Sequence, residues 1–330
     1  MPDILVVGSL NTDLVVRAPR FPQPGETISG EDLQVIPGGK GANQAVAAAR
    51  LGASVSMLGR VGRDNFGDFL LDNLKSNQVD AQLVQQDDAS TGTATIIVDS
   101  NGQNSIVLSA GANGKVSVAD VNSASFLDHK LILLQLEIPL ETVLSAAQRA
   151  HEKGLRVILN PAPAQHIPVE LIALADFIIP NETELSLLTG LSVNDIHSTD
   201  STEQAARKLL EQGAQNVIVT LGSKGALIVT RTQGSKYTST HVDTYQVNVV
   251  DTTAAGDAFI GGFATKLLES DSLLSNEQEH TLTSTRALAL QRAVRYGCAC
   301  GALATTKFGA QPSLPTREDV ETFMSLREGA

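Results

Sequence analysis

Short apolar runs alternate with amphipathic stretches along most of this 330-residue chain, and that order leaves few folds open. Ile4–Val7, Ser54–Leu58, Leu131–Leu134, Arg156–Leu159, Phe177–Ile179 and Asn216–Thr220 read as buried strands. Gly41–Leu51, Phe66–Asn77, Leu140–Lys153, Glu182–Thr189 and Thr202–Gln212 read as helices between them, with further helices at Leu288–Ala304 and Thr316–Leu326. A βαβα order demands crossover connections, so the strands run mostly parallel with helices on both faces. In open sheets of this kind ligands bind beyond the carboxyl ends of the strands.

Two stretches break the pattern. Leu14–Val35 and Thr93–Leu108 alternate, carry Gly and Pro turns and lack a helical period. They predict short antiparallel strands outside the main sheet, a small β lid over the site in an otherwise single α/β domain spanning residues 1–330. Ser270–Thr285 is polar and predicts a surface loop or helix extension.

Composition narrows the partners. With 42% hydrophobic and 18% charged residues the chain can bury a sizeable core. Its formal net charge is −12 with no basic run, which argues against nucleic acid and anionic membranes. No apolar run is long enough to span a bilayer, and no charged-then-apolar leader opens the sequence, so a cytoplasmic setting is expected. Cys298 and Cys300, one residue apart, suit neither a regular disulfide nor a zinc site and are expected to pack as small apolar residues.

The segment Asp251-Thr-Thr-Ala-Ala-Gly-Asp257 stands before the helical run Ala258–Ala264. Small residues at Ala254, Ala255 and Gly256 let the backbone turn its N–H groups toward one spot at the positive end of a helix. A carboxylate, Asp257, sits inside this anion trap. Ordinary helix capping would account for it. The alternative is phosphoryl transfer, in which the N–H groups hold phosphate charge and Asp257 takes a proton from the attacking hydroxyl.

Other segments add polar groups where strands are expected to end. Gly38-Gly-Lys-Gly-Ala-Asn-Gln44 opens an Ala-rich helix, and it is not a P-loop because Lys40 is followed by Gly. Gly39 permits close backbone approach, while Lys40 and Asn43 offer donors to hydroxyls or phosphate. Asn11 and Asp13 follow the first strand, with no G-x-G-x-x-G to support a dinucleotide oxidoreductase. Glu137 follows the strand that ends near Leu134 and could accept from a polyol or merely start a helix. Asn181 and Glu184 share a helical face at i, i+3, suited either to a cap or to ordering water around Mg²⁺.

Taken together these segments resemble the PfkB carbohydrate-kinase family, most closely its ribose-phosphorylating branch. The resemblance runs in order through Asn11-Thr-Asp13, Pro22–Thr27, Gly38–Ala48, Ser109–Asn113, Gln135–Glu137, Asn160–Ala164, Pro180–Glu184, Thr220–Ser223, Asp251–Asp257 and Gly309–Ser313. It implies a kinase-type α/β fold, ATP as phosphoryl donor and D-ribose as acceptor, phosphorylated at its 5-hydroxyl. It implies Asp257 as catalytic base, with Ala254, Ala255 and Gly256 as the anion hole. Asn11, Asp13, Gly39, Lys40, Asn43 and Glu137 would form the sugar shell. Asn181, Thr220, Gly222, Ser223, Gly225, Gly256 and Cys298 would face ATP, with Glu184 near Mg²⁺ through water. Asp251, Thr253, Ala304, Lys307, Gly309 and Ser313 fall where relatives bind an activating K⁺, mostly through carbonyls. A homodimer joined through the lid is implied as well. A related kinase for 2-deoxyribose, fructose or a nucleoside remains an alternative, as does a sugar-binding regulator without activity.

Overall fold

The computed structural model describes residues 3–126, 129–196, 198–232, 236–274 and 282–328. The strands, in chain order, are β1 (Ile4–Val7), β2 (Asn11–Arg17), β3 (Gln34–Gly38), β4 (Val55–Gly62), β5 (Asp80–Asp87), β6 (Gly92–Val98) and β7 (Asn104–Ser109). There follow β8 (Leu131–Leu134), β9 (Arg156–Leu159), β10 (Phe177–Ile178), β11 (Asn216–Thr220), β12 (Ala226–Thr232) and β13 (Lys236–Val242). The helices are α1 (Lys40–Arg50), α2 (Asn65–Ser76), α3 (Val118–Ser123), α4 (Leu140–Glu152), α5 (Val169–Leu174) and α6 (Glu182–Thr189). They continue with α7 (Thr199–Glu211), α8 (Ala255–Leu274), α9 (Leu282–Ala304), α10 (Ala310–Ser313) and α11 (Arg317–Glu328).

Nine strands form the main sheet in the order β13-β12-β11-β10-β9-β8-β1-β4-β5. All neighbours from β11 through to β5 pair parallel, while the edge hairpin β12–β13 is antiparallel within itself and joins β11 through an antiparallel β11–β12 pair. Sequence reading missed that hairpin. The apolar runs are buried on both faces, as a parallel sheet requires. Ile4 and Val6 of β1, Met57 of β4 and Leu133 of β8 pack with α1, α8 and α9. Their neighbours Leu5, Val7, Ile132 and Leu134 pack with α4, α5 and α7 on the other face. The period-2 alternation of strands therefore divides the core into two layers.

The chain builds from β1 outward to β4 and β5, then returns to build from β8 in the other direction. The order reverses between β1 and β8, which puts a crevice beyond their carboxyl ends. A second, four-stranded sheet stands there in the order β3-β2-β6-β7. It was expected to be antiparallel, and β2–β3 and β6–β7 are, but β2 and β6 pair parallel. The reason is topological. β2 leaves the carboxyl end of β1 and β6 leaves that of β5, so both emerge in the same direction. Its strands also begin earlier than expected, at Asn11 and Gly92, while residues 18–33 form no strand. Pro19, Pro22 and Pro24 remove donors that a ladder would need. One face of the small sheet is uncovered at Val35 and Val107, which are exposed, while Ile106 and Leu108 are exposed at the edge of the opposite face.

The polar stretch 270–285 is helical at its flanks, in α8 and α9, and residues 275–281 lie outside the described residues. Among the described residues no helix is long and apolar enough to cross a membrane.

Candidate active site

Four chain segments meet at the crevice. β1 delivers Ser9, β2 begins with Asn11 and Asp13, α1 begins with Lys40, and the turn after β8 brings Glu137. Glu137 binds them together. Its Oε2 accepts from the Ser9 hydroxyl, from the Lys40 backbone N–H at 3.1 Å and from Asn11 Nδ2 at 3.4 Å. Gly39 makes this approach possible. Its φ of 86° is left-handed, and a Cβ there would lie 2.6 Å from the Asn11 nitrogen. Asn113 closes the cluster from behind: its amide bonds the Leu10 N–H and C=O, each at 2.9 Å, and donates to Asn11 Oδ1 at 2.7 Å.

Asp257 lies in the first turn of α8, on the α1 side of this cluster. Asn43 Nδ2 donates to its Oδ2 at 2.9 Å and Gln44 Nε2 to its Oδ1 at 3.0 Å. Burial pushes the Asp257 pKa up from the ordinary carboxylate range. The nearby Lys40 ammonium and the two amide donors pull against that rise, and Glu137 adds to it. Burial alone would lower the Lys40 pKa, yet Asp257, Glu137 and Glu184 together raise it. One cation thus faces several carboxylates. Asn43 Oδ1 is buried without a hydrogen-bond partner, an acceptor left for something else to use.

The start of α8 is an open anion cradle. Ala254 is held at a φ of 59°, a conformation uncommon for a non-glycine residue. The Ala255 N–H is taken by the Thr252 carbonyl and that of Ala258 by Ala254. The N–H groups of Gly256 and Asp257 thus have no acceptor among the described residues, as a first helical turn leaves them. A Cβ at Gly256 would meet nothing within 4 Å, so the cradle has room.

Beyond Gly256 opens a cavity of about 570 Å³. Asn181, Thr220, Gly222, Ser223, Gly225, Gly256 and Cys298, all expected to face the nucleotide, line it together. Thr244, Tyr245, Val247, Val249 and Phe259 supply an apolar wall that sequence reading missed, because 243–250 carries neither a period nor a motif. Burial pushes the Cys298 thiol up to about 12, so it is a neutral packing surface there. Ala255 borders the same cavity, which places the helix start between the cavity and the Glu137 cluster.

Glu184 takes the capping role. Asn181 Oδ1 accepts from the Glu184 N–H at 2.8 Å, and both Glu184 oxygens accept from Asn181, at 2.8 Å from its N–H and 3.0 Å from its amide. Among the described residues no group of three or more His, Cys, Asp or Glu side chains could hold a metal.

The expected cation residues converge only in part. Asp251 Oδ1 accepts from the Thr253 N–H at 2.9 Å and hydroxyl at 2.7 Å, while Oδ2 accepts from the Gly309 N–H at 2.9 Å. The Thr305 carbonyl, accepting from the N–H groups of Val250 and Asp251, ties this loop to the end of α9. Ser313 is buried and donates to the Ala310 carbonyl, which leaves its oxygen lone pairs available. Ala304 is buried at the same turn, whereas the Lys307 side chain is exposed.

Comparison with known proteins agrees with this geometry. Residues 1–317 match the model of the pfkB family carbohydrate kinases. A ribokinase of Haemophilus influenzae is 40% identical over 324 residues, covering 97% of this chain and 98% of the relative. A deoxyribokinase of Salmonella typhi is 39% identical over 330 residues, covering 99% of this chain and all of the relative. The structure of an Arabidopsis thaliana ribokinase complexed with ribose and ATP superimposes with a TM-score of 0.82 at 33% identity, covering 98% of each chain.

Asp13 makes the charge balance testable. Burial, then repulsion by Glu137 and Asp257, raises its pKa from 3.8 to about 7. The folded state therefore binds more protons than the unfolded state between those values, and stability falls as pH rises through the window. Asp13→Asn should gain stability over the parent at pH 8, by up to ~4 kcal/mol, and the gain should shrink toward pH 4. Urea midpoints of both proteins at the two pH values check this. An equal difference at both would show that Asp13 does not titrate in this range.

Proposed function

Because the chain belongs to the pfkB family of carbohydrate kinases, we propose that it transfers the γ-phosphoryl group of ATP to the 5-hydroxyl of D-ribose, giving D-ribose 5-phosphate and ADP. The observation that carries this reading is the position of Asp257, between an apolar-walled cavity with an open anion cradle and a cluster of hydroxyl-binding groups. In the proposed step Asp257 removes the hydroxyl proton. The oxygen's electron pair forms a bond to the γ-phosphorus, and the bond to the bridging oxygen breaks, its electrons leaving with ADP. The N–H groups of Gly256 and Asp257, with the 254–257 turn, hold the charge spread over the transferring group. Asn11, Asp13, Gly39, Lys40, Asn43 and Glu137 would orient the sugar, and Asn181, Thr220, Gly222, Ser223, Gly225 and Cys298 would line the nucleotide side. Ribose is taken as the acceptor on the ribokinase relatives, with 2-deoxyribose as the alternative that the deoxyribokinase relative keeps open.

Two ions fit the donors present. Mg²⁺ usually keeps several waters and binds through substrate phosphates, which suits a site where Glu184, its oxygens engaged by Asn181, reaches it only through water. It would neutralise phosphate charge. The hard oxygen set of Asp251, Ser313 and the carbonyls of Thr253, Ala304, Lys307 and Gly309 suits K⁺, which would brace the 251–257 turn. Residues 1–330 are read as one sugar-kinase unit with the small sheet as its lid. The lid's uncovered apolar face fits a second copy of the chain, giving a homodimer. Buried free thiols at Cys298 and Cys300 suit a reducing cytoplasm.

ADP release with Mg·ATP and K⁺ across D-ribose, 2-deoxyribose, fructose and adenosine tests the assignment. Ribose should be preferred, and Asp257→Asn should lose at least about 10²-fold in kcat while still binding ribose. Preference for another acceptor would move the substrate, and near-normal turnover of Asp257→Asn would remove the base. Exchanging K⁺ for Na⁺ should slow turnover several-fold, whereas equal rates would remove the ion from this turn. Sedimentation should give a dimer for the parent and a monomer for Val107→Glu. A monomeric parent at micromolar concentration would exclude the lid-to-lid assembly.

A further inference from the structure

Behind the Asp257 carboxylate lies a buried chain of three amides that the phosphoryl-transfer step does not itself use. Gln44, the fifth residue of α1, sits at its centre. One hydrogen of Gln44 Nε2 goes to Asp257 Oδ1 at 3.0 Å and the other to Asn160 Oδ1 at 3.2 Å. Gln44 Oε1 accepts from Gln135 Nε2 at 2.6 Å. Asn160, just beyond β9, donates in turn to the Ile179 carbonyl at 3.0 Å. Gln44 and Gln135 are both fully inaccessible to solvent.

This chain has a single polarity. Rotating the Gln44 amide would aim its oxygen at two acceptors, the Asp257 carboxylate and Asn160 Oδ1, and would turn its NH₂ toward the Gln135 donor. No solvent reaches Gln44 to compensate, so each mismatched group would bear its desolvation cost. Asn160 cannot rotate to accommodate such a flip without giving up the Ile179 carbonyl. The Gln44 donor is therefore fixed from two directions.

We propose that Gln44 is a positioning residue that locks the Asp257 carboxylate in orientation, with Gln135 and Asn160 as its anchors. The proposal rests on reading Asp257 as the base. Asn43 holds the other oxygen, but Asn43 belongs to the proposed sugar shell, and its own Oδ1 has no partner among the described residues. The Gln44 amide has both hydrogens and its oxygen engaged within the protein. Oδ1 is committed to Gln44, which leaves Oδ2, on the Asn43 side, to take the proton of the sugar hydroxyl. A donor at Oδ1 also favours the ionised form of the acid. It does so against Asp13 on β2, Glu137 after β8 and Glu184 on α6, whose charges oppose ionisation. Lys40 on α1 assists it.

The test compares Gln44→Met and Gln135→Met with the parent enzyme, using ATP and ribose in single-turnover mode across pH 5 to 9. Methionine preserves length and removes the donor. In Gln44→Met the acid limb of the rate profile should move up by about one pH unit. The rate near pH 7 should drop about tenfold and recover at high pH, with the ribose KM within about twofold. Gln135→Met should move the limb the same way but less, and it carries the test should Gln44→Met fail to fold. An unmoved limb in a folded variant, however slow, would overturn the proposal. Asp257→Asn, run alongside, separates the two readings. If it retains turnover the base assignment fails; if it is inactive while the limb stays unmoved, only the role of Gln44 fails.

Discussion

With Asp257 as the proposed base, the site would depend on keeping one carboxylate ionised where water is scarce. Burying Asp257 penalises its charge, and an unpaired buried charge is among the most costly groups a fold can carry. The structure offsets this from two helices that start at the same place. α8 contributes the positive end of its own dipole to a residue in its first turn. α1 contributes Asn43 and Gln44, one to each oxygen, and Lys40 adds a full charge. Those donors reach only because the helices cross closely. A Cβ at Gly261 would fall 2.5 Å from the Ala47 side chain, and Ala45, Ala47 and Ala48 make that face of α1 thin and fully buried. Small residues two turns into each helix thus set the distances at the carboxylate.

Topology supplies the rest. Because the strand order reverses between β1 and β8, the segments that leave these two strands diverge and open a crevice, and Glu137 spans it to Ser9, Asn11 and the start of α1. The small sheet is attached at the same point. Asn113, which follows β7, clamps Leu10 and Asn11 where the chain passes from one sheet to the other. The small sheet also touches the loop of the proposed cation residues: the Arg17 guanidinium lies 4.4 Å from the Phe308 ring centre, and Ile36 packs beside Gly309. The residues proposed as sugar shell, lid and cation loop are therefore one contiguous piece of packing.

Much of this was legible in sequence where the signal is local. Strand and helix runs follow from hydrophobic period, and of the residues proposed for the nucleotide side Asn181 sits at a strand-to-helix turn and Thr220 at the end of β11, where a parallel sheet fixes the direction. What escaped reading is what depends on distant chain. Gln44 and Asp257 are 213 residues apart, and Asn11 and Asn113 are 102 apart. Neither spacing nor composition reveals which buried amide faces which carboxylate. Glu184 illustrates a different limit: an i, i+3 pair after a strand serves a capping box and a water-held ion equally well, and the bonds between Asn181 and Glu184 show the cap without bearing on the ion. The parallel pairing of β2 with β6 was likewise invisible, since it is set by where β1 and β5 release the chain.

The electrostatics of the crevice bear on why a polyol belongs there. A chain of net charge −12 gathers Asp13, Glu137, Glu184 and Asp257 around a single Lys40. Such a cluster is crowded with like charge, and repulsion by Glu137 and Asp257 adds to the burial that raises Asp13 to about 7. An anionic ligand in this crevice would deepen the imbalance, and an apolar one would bury carboxylates unpaired. A neutral sugar carries several hydroxyls, each able to donate to a carboxylate and to accept from Lys40 or Asn43 in turn. It relieves the cluster without adding charge. In the proposed reading the phosphates are met on the far side of Gly256, where the first turn of α8 leaves its backbone N–H groups open toward the cavity. Under the proposed roles, separating the two kinds of recognition on either side of one helix start would let the same first turn of α8 serve as base toward the sugar and as anion cradle toward the nucleotide.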